Sequence, residues 1–143
     1  MMKILISEFM DEAAVASLRA SFDTTYDATL VDRGDELLAS LKDADALIVR
    51  NRTQVNAQLL AAAPRLKVVG RLGVGLDNID LPACKARNVA VIPATGANAL
   101  AVAEYVIATA MLLLRGAYLS TPAVAAGQWP RGPLSNGREI GGK

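Results

Sequence analysis

The chain has 143 residues, of which 52% are hydrophobic and 20% are charged, and its 15 Lys and Arg against 14 Asp and Glu give a net charge of +1. This composition excludes intrinsic disorder, and the charge balance favours neither nucleic acid nor an anionic membrane as the main partner. The sequence contains no histidine and a single cysteine, Cys84. Chemistry that requires an imidazole therefore cannot be completed within these residues, and a disulfide framework is excluded.

The first 93 residues alternate between short apolar runs and stretches with helical spacing. The apolar runs predict five strands, at residues 3–7, 24–31, 46–50, 66–70 and 89–93. The stretches between them predict four helices, at residues 11–22, 35–41, 56–63 and 81–87. Because strands that alternate with helices form right-handed βαβ units, the predicted fold class is α/β, with a doubly wound, five-stranded parallel sheet and helices on both faces.

The pattern changes after residue 94. A long helix is predicted over 98–115, and a second over 121–129 with Thr121 as its N-cap, whereas 130–143 predicts neither helix nor strand. Glu104 interrupts the apolar 98–115 segment, so we expect a helix buried on most sides rather than a membrane span. Trp129 is expected to be a packing anchor. The short apolar start does not fit a signal peptide, and the single cysteine fits a reducing compartment, so we expect a cytoplasmic protein.

Two glycine-rich segments invite assignment as nucleotide-binding motifs. Residues 70–78 follow a predicted strand, but the third position of the dinucleotide fingerprint is Asn78 instead of a glycine. Residues 137–143 match Gly-x4-Gly-Lys, but a P-loop needs a buried strand before it, and here a Pro- and Asn-containing loop precedes it. Neither segment is interpreted as a nucleotide site. Cys84 is interpreted as a small buried apolar residue, and no metal site is predicted.

Two loops at the carboxyl ends of predicted strands are candidate binding sites, because ligands bind at that edge of a doubly wound sheet. Arg50, Asn51 and Arg52 could bind a carboxylate, phosphate or sulfonate; alternatively the loop is solvated and Asn51 or Thr53 caps the next helix. Residues 73–75 could aim backbone amides at an anion; alternatively they form a plain tight turn.

Three further polar residues belong to or adjoin the second loop. Arg71 is expected either to share the mouth of that site or to pair with Asp77. Asp77 and Asn78 are expected to fix the loop by hydrogen bonds from side chain to backbone.

Three segments of the chain carry a family resemblance, at residues 71–80 (RLGVGLDNID), 98–104 (NALAVAE) and 127–129 (GQW). Together they resemble the D-isomer specific 2-hydroxyacid dehydrogenase family, and residues 49–53 (VRNRT) are similar to its 3-phosphoglycerate dehydrogenase branch, which often has serine where this chain has Asn51. The resemblance implies a flavodoxin-like substrate domain over 1–97. It also implies that 98–143 holds linking and dimerisation helices and the lead-in to a Rossmann domain that follows.

The resemblance also implies roles for particular residues. The amides of Val74 and Gly75 would hold the substrate carboxylate, and Arg50, Asn51 and Arg52 would line the far end of a 2-hydroxy or 2-oxo acid, favouring an anionic tail. Leu100 and Val102 would face the nicotinamide of NAD, with NADP as an alternative. The family's catalytic Arg, Glu and His come later in its chains, so no catalytic residue is assigned and this chain alone is expected to be inactive.

We expect a homodimer formed through helices in 98–129. A stand-alone, non-catalytic domain for anion binding or oligomerisation is the alternative, because a fold alone does not fix a function.

Overall fold

The structure is a computed structural model that describes residues 1–142, with the side chain of Ala117 outside the description. The chain divides into two compact units, Met1–Gly96 and Ala97–Lys143. Each unit is described by itself.

The first unit is a five-stranded parallel sheet. Its strands are β1 (Lys3–Ile6), β2 (Asp23–Tyr26), β3 (Ala46–Val49), β4 (Val68–Arg71) and β5 (Ala90–Pro93). Their spatial order is β2-β1-β3-β4-β5, and every neighbouring pair is parallel. This is the flavodoxin-like order, so the predicted α/β class and flavodoxin-like topology are confirmed.

Helices cover both faces of this sheet. They are α1 (Glu12–Arg19), α2 (Gly34–Ser40), α3 (Ala57–Ala62) and α4 (Leu81–Ala86), with short 3-10 turns at Leu30–Asp32 and Leu41–Asp43. Because successive strand residues point to opposite faces, Leu5 and Leu47 face the core formed with α2, α3 and α4, whereas Ile4 and Ile6 pack against Val15 of α1. Cys84 is buried in the first of these cores, as expected.

Local side-chain hydrogen bonds set several element boundaries. Asp11 caps α1 by accepting hydrogen bonds from the backbone N–H groups of Ala13 and Ala14, so this residue precedes the helix instead of starting it. The strand predicted over 24–31 ends at Tyr26, and that prediction was too long. Asp27 accepts hydrogen bonds from both the N–H and the hydroxyl of Thr29, which turns the chain out of the sheet.

The second unit is helical. It contains α5 (Ala99–Arg115), a 3-10 turn (Ala117–Ser120), α6 (Thr121–Ala125) and α7 (Arg131–Ser135). The prediction for α6 was too long and misplaced its cap, because Ser120 takes the N-cap position. The prediction of no helix after 130 was wrong. Pro133 lies in the first turn of α7, where a backbone N–H has no partner within the helix. Proline is therefore tolerated there, because its missing N–H costs the helix no hydrogen bond.

The apolar side chains of α5 are not buried. No residue of this helix is buried in the described structure, so the expectation of a helix buried on most sides was wrong, and Glu104 is exposed. Trp129 is 82% exposed and is not the packing anchor that was predicted. Hydropathy records a preference for burial, but burial also requires a covering surface. No single described helix is long and apolar enough to cross a membrane. One bent pair of helices has the required length and composition when its members are taken together, namely Ala99–Arg115 and Tyr118–Ala125, with a bend of 52° between them.

Candidate functional site

Two loops begin side by side at the carboxyl edge of the sheet. β3 and β4 are parallel neighbours with Val49 opposite Arg71, so the loop at residues 50–53 and the loop at residues 72–78 leave the sheet at the same level. The five predicted substrate-binding residues all lie in these loops and are exposed: Arg50, Asn51, Arg52, Val74 and Gly75. The fold therefore brings both predicted binding loops to one edge.

A buried carboxylate organises the first loop. Glu8, just beyond β1, is 4% exposed. Its Oε1 accepts hydrogen bonds from the backbone N–H groups of Arg50 and Thr53, both at 2.9 Å. Its Oε2 accepts from those of Asn51 at 3.3 Å and Arg52 at 3.1 Å. The amides of this loop are therefore occupied by the protein's own carboxylate.

Glu8 is the residue of this site that sequence reasoning missed. The available signal was an acidic residue directly after the first strand, at the edge where ligand-binding loops gather. Burial by itself raises the pKa of the Glu8 carboxyl, but the hydrogen bonds from the Thr53, Arg50 and Arg52 backbone and from the Thr53 side chain together lower it below its ordinary value. Glu8 is therefore a carboxylate at neutral pH.

Asn78 joins the two loops. Its side-chain amide, Nδ2, donates hydrogen bonds to the carbonyl of Thr53 at 2.8 Å and to that of Arg50 at 3.3 Å. The prediction that Asn78 fixes the loop through its side chain is confirmed. The alternative in which Asn51 or Thr53 caps the next helix was wrong, because Asn56 caps α3. The hydroxyl group of Thr53 instead forms a hydrogen bond of 3.0 Å with the hydroxyl group of Ser7.

The two arginines of the first loop differ in their surroundings. Arg52 forms an ion pair and a hydrogen bond with Asp32, which together raise the pKa of the guanidinium. The guanidinium of Arg50 lies 5.6 Å from the centre of the Phe9 ring, in a cation–π arrangement. Among residues 1–142, no carboxylate forms an ion pair with Arg50. Of these two arginines, Arg50 is therefore the one whose charge no carboxylate of residues 1–142 offsets.

The second loop contains a glycine at a backbone conformation that would strain any residue with a side chain. Gly73 has a φ of 153°, and a Cβ built there would lie 1.5 Å from Nη1 of Arg71. Nη1 of Arg71 donates to the carbonyl of Leu72 at 3.1 Å, and its buried Nε has no hydrogen-bond partner in the described part of the chain. The alternative in which Arg71 pairs with Asp77 was wrong, because no ion pair joins these two described residues, and the Arg71 guanidinium lies beside Gly73 instead.

The amides of the second loop differ from those of the first. The N–H of Gly73 donates to the carbonyl of Arg71 at 2.8 Å, which makes a tight turn. The N–H groups of Val74 and Gly75 donate to no acceptor within residues 1–142. A turn followed by two unused, exposed amides is suited to an incoming carboxylate.

The two residues predicted to face the nicotinamide lie in the second unit. Leu100 and Val102 are exposed near the start of α5. Asn98 takes the N-cap position of this helix, but its side chain makes no capping hydrogen bond. Among the described residues, no group of three or more His, Cys, Asp and Glu side chains is placed to hold a metal ion.

Comparison with known proteins identifies the family. Residues 4–126 match the family model described as D-isomer specific 2-hydroxyacid dehydrogenase, catalytic domain. The chain belongs to this family. The resemblance that was stated from residues 71–80 and 98–104 is thereby confirmed.

Two relatives of the chain are dehydrogenases from bacteria. The chain is 60% identical over 134 residues to an (S)-sulfolactate dehydrogenase from Chromohalobacter salexigens, covering 94% of this chain and 43% of the relative. It is 39% identical over 142 residues to a D-3-phosphoglycerate dehydrogenase from Mycobacterium leprae, covering 98% of this chain and 26% of the relative. The chain thus spans less than half the length of these curated relatives.

Two solved structures share the fold of this chain. A glyoxylate reductase from Paecilomyes thermophila superposes with a TM-score of 0.81 at 24% identity, over 99% of this chain and 46% of that one, which shows the fold alone. An NAD+-bound 3-phosphoglycerate dehydrogenase from Entamoeba histolytica superposes with a TM-score of 0.62 at 28% identity, over 80% of this chain and 39% of that one.

Proposed function

We propose that this chain supplies the substrate-binding part of an NAD-dependent dehydrogenase that acts on a small D-2-hydroxy acid with an anionic tail. The observation that carries the proposal is the pairing, at one edge of the sheet, of two unused backbone amides with an arginine that lacks a carboxylate partner in residues 1–142. A 2-hydroxy acid with a phosphate or sulfonate tail presents anionic groups at both ends, one for each loop.

The amides of Val74 and Gly75 are proposed to bind the substrate carboxylate. Hydrogen bonds from N–H groups to an ionised acceptor are shorter and stronger than those between neutral groups. These two donors lie on consecutive residues and make no hydrogen bond within the described chain, so a carboxylate needs to displace only water. This assignment retains the role that the family resemblance implied.

Arg50, Asn51 and Arg52 are proposed to bind the tail. Arg50 contributes the uncompensated charge, Asn51 contributes an exposed amide, and Arg52 contributes a guanidinium whose charge Asp32 partly offsets. The activities of two relatives, on sulfolactate and on 3-phosphoglycerate, support a sulfonate or a phosphate as the tail. The planar guanidinium group can donate two parallel hydrogen bonds to the oxygens of either a sulfonate or a phosphate.

Leu100 and Val102 are proposed to contact the nicotinamide of NAD. Their exposed aliphatic side chains fit the face of an aromatic ring, and an NAD+-bound relative supports this cofactor over NADP. NAD, when bound, exchanges a hydride with C2 of the substrate. This chain has no histidine, so its described residues are assigned to binding and orientation and not to proton transfer.

The same proposal includes a homodimer formed through helices in 98–129. The exposed apolar side chains of α5 and of the segment after it support an interface between two copies. The cytoplasmic location expected from the sequence stays a prediction.

The tail assignment is tested by calorimetric titration of this chain with 3-sulfolactate, 3-phosphoglycerate and lactate. Replacing Arg50 by Ala should weaken binding of the two tailed acids by about ten-fold or more, because a hydrogen-bonded ion pair is lost, and should leave lactate binding nearly unchanged. Arg19→Ala, at the exposed end of α1, removes the same charge away from the site and serves as the control. Equal weakening for all three acids would contradict the tail-binding role.

A further inference from the structure

Consecutive backbone N–H groups that converge on one point usually form an anion-binding concavity. The N–H groups of residues 50–53 converge in this way, and the anion they hold is the carboxylate of Glu8. The protein therefore fills with its own side chain a position that could otherwise hold part of an anionic ligand.

We propose that Glu8 is a positioning residue for the tail-binding loop. Its carboxylate fixes the peptide groups of residues 50–53 before a ligand arrives and keeps their amides from the substrate. The tail is consequently bound by the side chains of Arg50, Asn51 and Arg52, and not by the backbone. This inference rests on the proposed function, because it takes the tail to bind at this loop.

The loop is held from both sides, which is what a positioning role requires. Glu8 accepts from its N–H groups, while Asn78 donates to the carbonyls of Arg50 and Thr53. The Ser7 and Thr53 hydroxyls add a third connection, at 3.0 Å. A loop ordered in advance spares the ligand the entropy cost of ordering it, and this lowers the dissociation constant.

An electrostatic role and a positioning role of Glu8 predict opposite changes in anion binding when its carboxylate is removed. A negative charge beside an anion site repels the ligand, so a role limited to electrostatics predicts tighter anion binding when it is neutralised. A positioning role predicts weaker binding. In Glu8→Gln one carboxylate oxygen becomes an NH2 group, which cannot accept from the two N–H groups that this oxygen held.

The first test is a titration followed by amide NMR. Sulfate and 3-sulfolactate are added to the unaltered chain, to Glu8→Gln and to Glu12→Gln, a control at an exposed residue that makes the same change of charge. We expect Glu8→Gln to raise the dissociation constant of 3-sulfolactate by about five-fold or more and Glu12→Gln to change it by less than about two-fold. Equal or tighter binding by Glu8→Gln would overturn the proposal.

The second test leaves Glu8 unaltered, and it checks that the Glu8 carboxylate holds the amides of residues 50–53 even where Glu8→Gln fails to fold. The N–H resonances of residues 50–53 are followed while the pH is lowered. The charged groups near Glu8 are the guanidinium of Arg52 and its partner Asp32, with Arg50 at the start of the loop. Because hydrogen bonds to the charged form lower the pKa of Glu8, we expect the four resonances to shift together, with one midpoint below the ordinary pKa of a glutamate.

Asp32→Asn should keep that common midpoint, since the carboxylate that the four amides contact is Glu8 and not Asp32. Unrelated midpoints for the four resonances, or a transition that disappears with Asp32, would overturn the proposal.

The outcomes also separate this inference from the proposed function. An unaltered chain that binds neither sulfate nor 3-sulfolactate overturns the proposed function, and the binding role of Glu8 with it. An unaltered chain that binds 3-sulfolactate, beside a folded Glu8→Gln chain that binds it equally well, overturns the role of Glu8 alone.

Discussion

At the scale of single residues, the site depends on Gly73 having no side chain. The guanidinium of Arg71 lies where a Cβ at Gly73 would be, with Nη1 1.5 Å from that position, and the φ of 153° is one that side-chain-bearing residues rarely adopt. We expect Gly73→Ala to lower the free energy of unfolding by about 1–3 kcal/mol, measured by urea denaturation, and to weaken lactate binding by displacing the adjacent amides.

Gly34 offers a matched control for this substitution. It begins α2, and a Cβ there would meet no atom within 4 Å. Gly34→Ala should leave the free energy of unfolding unchanged or raise it by about 0.4–1 kcal/mol, because alanine reduces the entropy of the unfolded chain. Similar losses of stability for both variants would contradict a special constraint at position 73, which differs from position 34 both in its φ and in the neighbouring Arg71 guanidinium.

At the scale of elements, the start of α3 is set by one capping bond. The Oδ1 of Asn56 accepts a hydrogen bond from the N–H of Leu59 at 2.9 Å, and α3 then buries Leu59 and Leu60. Asn56→Ala should lower the free energy of unfolding by about 1 kcal/mol, measured by thermal or urea denaturation. Gln58→Ala, at an exposed position of the same helix, should change it by less than about 0.5 kcal/mol. Equal effects would contradict the capping role.

The elements of the first unit also show why their ends were harder to predict than their existence. Apolar periodicity located all five strands and α1 to α4, because it records which local stretches can bury a face. The apolar pattern extended the second strand past Tyr26. The turn made by Asp27 and Thr29 depends on two hydrogen bonds, and these do not change the spacing of apolar residues. The pattern missed α7, because proline and glycine in a first helical turn resemble a loop.

At the scale of the whole molecule, the second unit leaves a large apolar surface exposed. Leu113 of α5 is 72% exposed. Other large apolar side chains of α5 and of the 3-10 turn after it are also exposed, among them Tyr105, Ile107 and Leu119. Exposed apolar side chains in this number favour association in water. We expect sedimentation velocity to show a monomer–dimer equilibrium for the unaltered chain and a monomer for Leu113→Arg, which places a charge in the proposed interface.

Met2→Lys is the control for that experiment, because it adds a positive charge at an exposed apolar residue of the first unit. It should associate as the unaltered chain does. A monomer at every concentration for the unaltered chain, or equal dissociation of both variants, would contradict a dimer through helices in 98–129.

The sequence by itself determined the fold class and the two loops that form the candidate site. Both follow from local information: strand periodicity fixes where parallel strands end, and residue type fixes which loops carry cations and glycines. Family membership was also present locally, in segments such as residues 71–80. The role of Asn78 was predicted because an amide side chain in a tight loop has few other partners.

Only the tertiary structure decided which charges remain available to a ligand. Glu8 meets its four N–H donors across 42 to 45 residues of chain, because the sheet order places β1 beside β3. The same fold gives Arg52 a carboxylate partner in Asp32, and it places the guanidinium of Arg50 over the ring of Phe9. The sequence presents these two arginines as equivalent, and their difference arises because long-range pairing depends on strand order, which local patterns do not encode.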